Sequence, residues 1–265
     1  MKYAIFSDIH GNLEAFQTVL EKAKALGAEK FVSLGDTVGY GADPAGCLHL
    51  LRSLDPIAVV KGNHDEFASN NDEIMEGFNQ HARLAVLWTK SQLSTEDRAY
   101  LADLPMRVTP RGANFTVVHA TLDSPEAWGY IFDEHHAADN FAYQFTPLCF
   151  CGHSHVPLAF AKKPVLKHSG KSIEELYDWA DYNAENFHCE DSFVLKLEAG
   201  FKYLINVGSV GQPRNRDPRA SFAIYDSDER TVTRYMLPYD IATAQEKILA
   251  AGLPERLASR LEVGS

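Results

Sequence analysis

The stretch Lys2-Tyr3-Ala4-Ile5-Phe6-Ser7-Asp8-Ile9-His10-Gly11-Asn12 decides the fold class. It opens as a short apolar run of strand character and breaks abruptly into a carboxylate and an imidazole. Asn12 to Leu26 continues with helical spacing through Leu13, Phe16, Val19, Leu20 and Ala23, and Gly27 stops it. Lys30 to Leu34 is a second strand. Asp43 and Pro44 open a second helix, Asp as the N-cap and Pro in the first turn. That helix carries Cys47, Leu48, Leu50 and Leu51 and ends before Asp55-Pro56, and Ile57 to Val60 is a third strand. Strand-helix-strand-helix-strand predicts a parallel α/β unit.

Beyond it the chain becomes more helical. Phe78 to Leu93 is amphipathic, and Ser94-Thr95-Glu96-Asp97 reads as a helix start with Ser94 as N-cap. Arg107 to Val118 reads as two strands about the turn at Arg111-Gly112. Leu148 to Cys151 and Val156 to Ala161 are further short strands. Pro164 to Asp191 is polar and mixed, with a helix expected over Ser172 to Tyr182, and reads as an insertion or lid. Ser192 to Leu197, Lys202 to Asn206, Ala220 to Tyr225 and Thr231 to Leu237 read as a mostly antiparallel second sheet. A helical tail from Ile241 breaks near Gly252-Leu253-Pro254.

The chain has 265 residues, 45% of them hydrophobic, which suits one large domain over 1–265. The net charge of -11, without a long basic run, argues against broad binding to nucleic acid or anionic membrane. A small phosphorylated substrate stays compatible, because bound metals would set the local field. Cys47, Cys149, Cys151 and Cys189 fit neither a zinc ribbon nor a disulfide framework. The N-terminus reads as a strand rather than a signal peptide, and no run reaches transmembrane length. The expectation is a reduced, cytoplasmic protein.

Five polar motifs stand just after apolar runs: Asp8-Ile9-His10, Gly35-Asp36, Gly62-Asn63-His64-Asp65, His119, and Gly152-His153-Ser154-His155. Carboxylate, carboxamide and imidazole are hard or borderline metal ligands. In an open α/β sheet the carboxyl ends of the strands form the ligand-binding edge. Taken singly each motif is weak: Gly35-Asp36 could be a turn and His119 a structural histidine. As an ordered set at strand ends they predict a site for two divalent metals and phosphate-ester chemistry.

This ordered set resembles the calcineurin-like metallophosphoesterase superfamily. The likeness runs from Asp8 to His155 and on to Asn206-Val207-Gly208-Ser209-Val210-Gly211-Gln212-Pro213-Arg214. With Gly39-Tyr40-Gly41 it resembles the small bacterial phosphodiesterase and phosphatase branch. The resemblance implies a two-sheet β-sandwich flanked by helices, in four layers. It implies that Asp8, His10, Asp36 and His155 hold one metal and Asp36, Asn63, His119 and His153 the other, so that Asp36 bridges. Four positive charges against two carboxylates leave a cationic site, and a hydroxide between the metals would attack phosphorus in line. The resemblance gives His64 the protonation of the leaving group or stabilisation of the pentavalent state, with Asp65 as the group that would orient it.

Asn12, Tyr40, Arg214 and Arg216 are candidates for substrate contact, and Arg219 lies in the same segment; guanidinium groups suit phosphate geometry. The histidine pair His135-His136 is a candidate to approach from a lid. The Asp-Arg-Gly element of the superfamily's serine/threonine protein phosphatases is missing, since Asp36 is followed by Thr37-Val38-Gly39-Tyr40-Gly41. That lowers the protein-phosphatase reading. The leading expectation is a dinuclear phosphoesterase acting on phosphodiesters or nucleotides, with phosphomonoesters as the alternative. A non-catalytic scaffold is a distant third, because every ligand and His64 are present. Mixed N/O ligation accepts manganese, iron, zinc, nickel or cobalt. Residues Phe78 to Leu104 and Pro164 to Asp191 are candidates for shaping the pocket or a homo-oligomer contact.

Overall fold

The computed structural model describes residues 1–70, 78–163 and 191–265. The insertion expected over 164–191, with its helix and Cys189, lies outside the described residues apart from Asp191. No helix among the described residues is long and apolar enough to cross a membrane.

The opening unit folds as its sequence predicts: β1 (Lys2–Phe6), α1 (Leu13–Ala25), β2 (Lys30–Ser33), α2 (Pro44–Ser53) and β3 (Ala58–Val59). β1 and β2, and β2 and β3, pair in parallel. Then follow α3 (Asn63–Ser69), α4 (Gln80–Gln92), α5 (Thr95–Ala102), β4 (Arg107–Val108), β5 (Phe115–Val118), α6 (Glu134–Tyr143), β6 (Leu148–Cys151) and β7 (Leu158–Lys162). The chain ends with β8 (Ser192–Lys196), β9 (Lys202–Asn206), β10 (Ala220–Asp226), β11 (Thr231–Leu237), α7 (Ile241–Ala250) and α8 (Glu255–Val263). Ser94 and Asp97 form the reciprocal cap of α5 that the sequence signals.

The second sheet differs from the expectation. The four late strands do not pair among themselves as one sheet. β10, β11 and β8 extend the first sheet in the order β3-β2-β1-β10-β11-β8, with β10 antiparallel to β1. β9 crosses to the other sheet, β4-β5-β6-β9-β7, where it runs parallel to β6. Apolar alternation shows that these segments are strands, but partner choice is non-local and no local pattern encodes it.

Side-chain alternation builds the layers. Tyr3 and Ile5 of β1 meet Phe115, Val117 and Phe150 between the sheets. Ala4 and Phe6 face the other way, onto Phe16, Val19 and Leu20 of α1. On the far side, Cys149 and Cys151 of β6 face Ala137 and Phe141 of α6. Helix, sheet, sheet, helix is the four-layer sandwich that the resemblance implies. Cys47, Cys149 and Cys151 are buried free thiols, and burial raises each of their pKa values.

Asn12 ties α1 into this frame. Its Oδ1 accepts the Ala15 N–H at 3.1 Å as the helix cap, and its Nδ2 donates to the Gly211 carbonyl at 2.9 Å and the Tyr239 hydroxyl at 3.2 Å. Asp43, expected to cap α2 in the same way, makes no capping hydrogen bond; its carboxylate binds the Lys247 ammonium at 2.7 Å. Asn12→Ala should therefore lower unfolding free energy by about 1–3 kcal/mol in urea titration, through the lost cap and the stranded buried acceptors. Asn12→Asp, which keeps the cap, should lose less; equal losses in the two variants would show that the cap contributes nothing.

Candidate metal centre

The strand ends deliver the donors. Asp8 and His10 follow β1, Asp36 follows β2, Asn63 and His64 open α3 after β3, His119 follows β5, and His153 and His155 follow β6. The strand-end loops are stitched edge to edge: Asp8 N–H donates to the Gly35 carbonyl at 3.0 Å, His10 N–H to Asp36 at 2.9 Å, and Gly152 N–H to His119 at 2.9 Å. Asp8, His10, Asp36, His153 and His155 all have φ between 51° and 67°. A left-handed backbone at a residue other than glycine costs of order 1–3 kcal/mol, and it clusters where surrounding structure enforces it. Gly152 is enforced by space: a Cβ there would collide with the Ser7 hydroxyl and lie 2.6 Å from Asp8 Oδ2.

Each imidazole is fixed by its remote nitrogen. His10 Nδ1 lies 3.1 Å from the Val38 carbonyl, His119 Nδ1 2.7 Å from that of Leu34, and His155 Nδ1 2.5 Å from that of Gln212. A carbonyl only accepts, so these Nδ1 atoms carry hydrogen and the Nε2 atoms turn inward. His153 is reversed. Its Nε2 donates to the Trp128 carbonyl at 2.9 Å, which leaves the Nδ1 lone pair to face inward.

Two groups result, Asp8-His10-Asp36-His155 and Asp36-His119-His153, and within each the ligand atoms lie within 4.8 Å of one another. Asp36 belongs to both. His10 Nε2 and His155 Nε2 stand 3.1 Å apart. With both Nδ1 positions protonated neither ring can donate to the other, so a cation is what satisfies both lone pairs. Asp8 Oδ1 and Asn63 Oδ1 are buried without a hydrogen-bond partner among the described residues. Orphaned buried polar atoms are costly unless an ion fills the gap. The donor set therefore fits divalent metal, and Asn63 Oδ1 lacks a partner as Asp8 Oδ1 does.

The electrostatics agree. Burial outweighs the neighbouring carboxylates and lowers the pKa of His10 and His155; burial and the charge on His119 bring His153 down to about 3. Burial pushes the other way on Asp8, but His155 holds its carboxyl well below the usual range. Asp36 is likewise held low against burial, by His119 and His64. His119 is the exception: burial lowers it, but Asp36, 3.4 Å away, lifts it to about 9.

Residues 1–230 match the calcineurin-like phosphoesterase superfamily domain. The chain belongs to the calcineurin-like phosphoesterase superfamily. It is a metal-dependent phosphoric ester hydrolase. It is 36% identical over 264 residues to an uncharacterised protein of Methanocaldococcus jannaschii, with 98% of this chain and 97% of the relative covered. It is similar to the crystal structure of a metallophosphoesterase from Sphaerobacter thermophilus, at 39% identity and a TM-score of 0.81, covering 100% of this chain and 99% of that one. A hypothetical protein of Pyrococcus horikoshii shares the fold at 21% identity and a TM-score of 0.76, over 100% and 98% of the two chains.

In this phosphoesterase a cleft of about 210 Å³ opens beside the donors, lined by Tyr40, His64, Phe78, Tyr130, Arg214 and Arg260 among others. Tyr40 and Arg214 stand where the sequence suggested, the Arg214 Nη2 3.4 Å from the Tyr40 hydroxyl. Arg216 does not: it is exposed, and its backbone N–H donates to Gly264 at 2.8 Å. Asn12 is spent on the cap and inter-element bonds described above. Arg219 is paired with Asp217 and Asp191. His135 and His136 ride on α6 away from the cleft lining, with His136 Nδ1 2.7 Å from Asp133.

Asp65 also departs from its expected role. Its carboxylate accepts N–H groups from Asp36 at 2.7 Å, Thr37 at 2.9 Å, Val38 at 3.3 Å and Gly62 at 3.1 Å, and none of its bonds reaches the His64 ring. A carboxylate one residue along a helix from a histidine points elsewhere; Asp65 shapes the Gly35-Asp36 loop instead. Sequence reasoning missed Tyr130 and Arg260, whereas Phe78 opens the segment expected to shape the pocket. Tyr130 stacks on His153 at 4.2 Å and on Phe132 at 5.2 Å, a pairing no local pattern signals.

His119 must surrender its proton to become a ligand. In the metal-free protein it holds that proton up to about pH 9, so metal uptake at pH 7 should release about one proton, and apparent affinity should rise with pH until that value. Calorimetry of metal addition in buffers of different ionisation enthalpy reads this directly. No proton release at pH 7 would contradict it.

Proposed function

We propose that this phosphoesterase hydrolyses phosphodiester or nucleotide substrates at a pair of divalent ions. The observation that carries the reading is the pair of buried donor groups sharing Asp36. Asp8, His10, Asp36 and His155 would hold one ion; Asp36, Asn63, His119 and His153 would hold the other. Bound there, the ions supply Lewis acidity toward the phosphoryl oxygens and make water acidic enough to act near neutral pH. Nitrogen and oxygen donors without thiolate accept manganese, iron, zinc, nickel or cobalt.

The chain's own residues supply position and hydrogen bonds. His64 packs between Tyr40 at 4.3 Å and Phe78 at 4.7 Å, and its backbone N–H holds Asp36 Oδ1 at 2.8 Å. Burial brings its pKa down to about 4, so the ring is neutral at pH 7. A neutral ring keeps one N–H, and we assign it donation to the transferring phosphoryl group rather than release of a full proton. Arg214, beside the Tyr40 hydroxyl on the same cleft, presents a guanidinium to the phosphate oxygens of the substrate. The aromatic faces of Tyr40, Phe78 and Tyr130 leave room for an organic group beyond the phosphoryl, which supports a diester or nucleotide over a bare monoester.

Metal-stripped protein should hydrolyse neither an aryl phosphodiester nor an aryl phosphomonoester. Restoring each of manganese, iron, zinc, nickel and cobalt in turn should return activity, with the diester favoured. A ratio favouring the monoester would move the assignment to phosphomonoesters. Inactivity toward both, in protein shown to hold two metal equivalents, would remove it.

His64→Ala should lower kcat by about 10²- to 10⁴-fold with metal content unchanged by elemental analysis. Turnover within a few-fold of the parent would overturn the role given to this ring.

A further inference from the structure

The cleft beside the donors holds two guanidinium groups, and attack at a single phosphoryl needs at most one. Arg214 comes from the loop after β9 and Arg260 from α8, yet both line the same cleft. The match to the superfamily domain covers residues 1–230, and α8 lies beyond it. Asp36 is the sole carboxylate lining the cleft among the described residues, and it already belongs to both donor groups. Arg214 contacts Tyr40 and Gln212, both neutral, and its Nε is buried without a hydrogen-bond partner among the described residues. Arg260 Nε donates to the Ser265 backbone oxygen.

The two arginines are held facing the cleft by the packing of the elements that carry them. Leu257 and Leu261 of α8 bury against Tyr40, Ala82 and Ala85. Gly264 N–H caps α8 on the Arg260 carbonyl at 3.0 Å, and the Gly264 carbonyl accepts the Arg216 N–H at 2.8 Å. A Cβ at Gly264 would run into the Asp217 backbone. The end of α8 is thus locked to the loop that carries Arg214. Burial, and the charge of Arg214 after it, pull the Arg260 pKa down to about 10. Like charges fixed in a half-buried cleft repel until an anion arrives.

We infer that Arg214 and Arg260 clamp a second phosphoryl group, covalently joined to the one that reacts, so that the favoured substrates carry two linked phosphates. The inference rests on the phosphoesterase reading above and deepens it. A guanidinium fork matches phosphate oxygens two at a time, and two forks converging from separate elements suit a dianionic group better than an uncharged ester arm. The reacting phosphoryl would sit at the two donor groups that share Asp36, and the clamp takes its neighbour.

The test is calorimetric, on metal-loaded protein, with methylenebisphosphonate and methylphosphonate as probes. The parent should bind the bisphosphonate at least about tenfold more tightly, and Arg260→Gln or Arg214→Gln should remove most of that ratio. Chelation by the metals is common to every variant, so a change in the ratio reports the arginines. Arg256→Gln, an exposed charge on the same helix, should move the ratio less than about twofold. If Arg260→Gln does not fold, Arg260→Lys carries the test: it keeps the charge, loses the fork, and should still lower the ratio by about threefold. A ratio unchanged in the folded Arg260 variant overturns the clamp. Hydrolysis of the aryl phosphodiester and phosphomonoester by the parent, measured alongside, separates the two failures: activity with an unmoved ratio removes the clamp alone, and inactivity toward both, with two metal equivalents bound, removes the reading beneath it.

Discussion

Asp36 is a carboxylate taken almost wholly out of water, and much of the molecule is arranged around the cost of keeping it ionised there. His10 and His119 stand 3.6 and 3.4 Å from its Oδ2, and the His64 N–H binds its Oδ1. Its own N–H and those of Thr37 and Val38 are gathered by Asp65, so one buried acid holds the loop that presents another. Asp65 suffers for it: burial first, then the charge of Asp36, push its carboxyl up to about 7. Two acids in one dry place repel, and the imidazoles around them offset that cost.

The sandwich exists to deliver strand ends to that point. β1, β2 and β3 arrive from one sheet and β5 and β6 from the other, and the apolar layer between them fixes the distance. The Asn206-Val207-Gly208-Ser209 turn closes the gap between the sheets. Asn206 Nδ2 holds the Gly152 carbonyl at 2.6 Å and Ser154 at 3.0 Å, and Ser209 Oγ holds the Asp8 carbonyl at 2.9 Å. Val207 is buried in the core between the sheets.

What the sequence shows well is local: an apolar run, then a donor, then a turn. That is why Asp8, His10, Asp36, Asn63, His119, His153 and His155 could be named before any fold was known, and why α1, α5 and the broken tail fall where spacing puts them. What it shows poorly depends on distant partners. β9 and β10 have the same strand character but enter different sheets. Asn12 and Arg216 sit in suggestive motifs, but backbone groups of other segments claim them. Arg260 lies in an ordinary amphipathic helix, and only packing against Tyr40 and Ala82 turns it toward the cleft. Asp65 neighbours His64 in sequence, while the helix sends the two side chains apart.

The left-handed turns at Asp8, His10, Asp36, His153 and His155 bear on which residues these positions can accept. Aspartate, asparagine and histidine are the side chains, glycine aside, that most readily adopt positive φ. They are also the oxygen and nitrogen donors that hard and borderline metals prefer. Backbone and coordination chemistry thus select from the same short alphabet. A replacement such as valine or leucine would fail twice, by lacking a donor and by refusing the turn, whereas an exchange within the alphabet alters the ligand field and leaves the chain path intact.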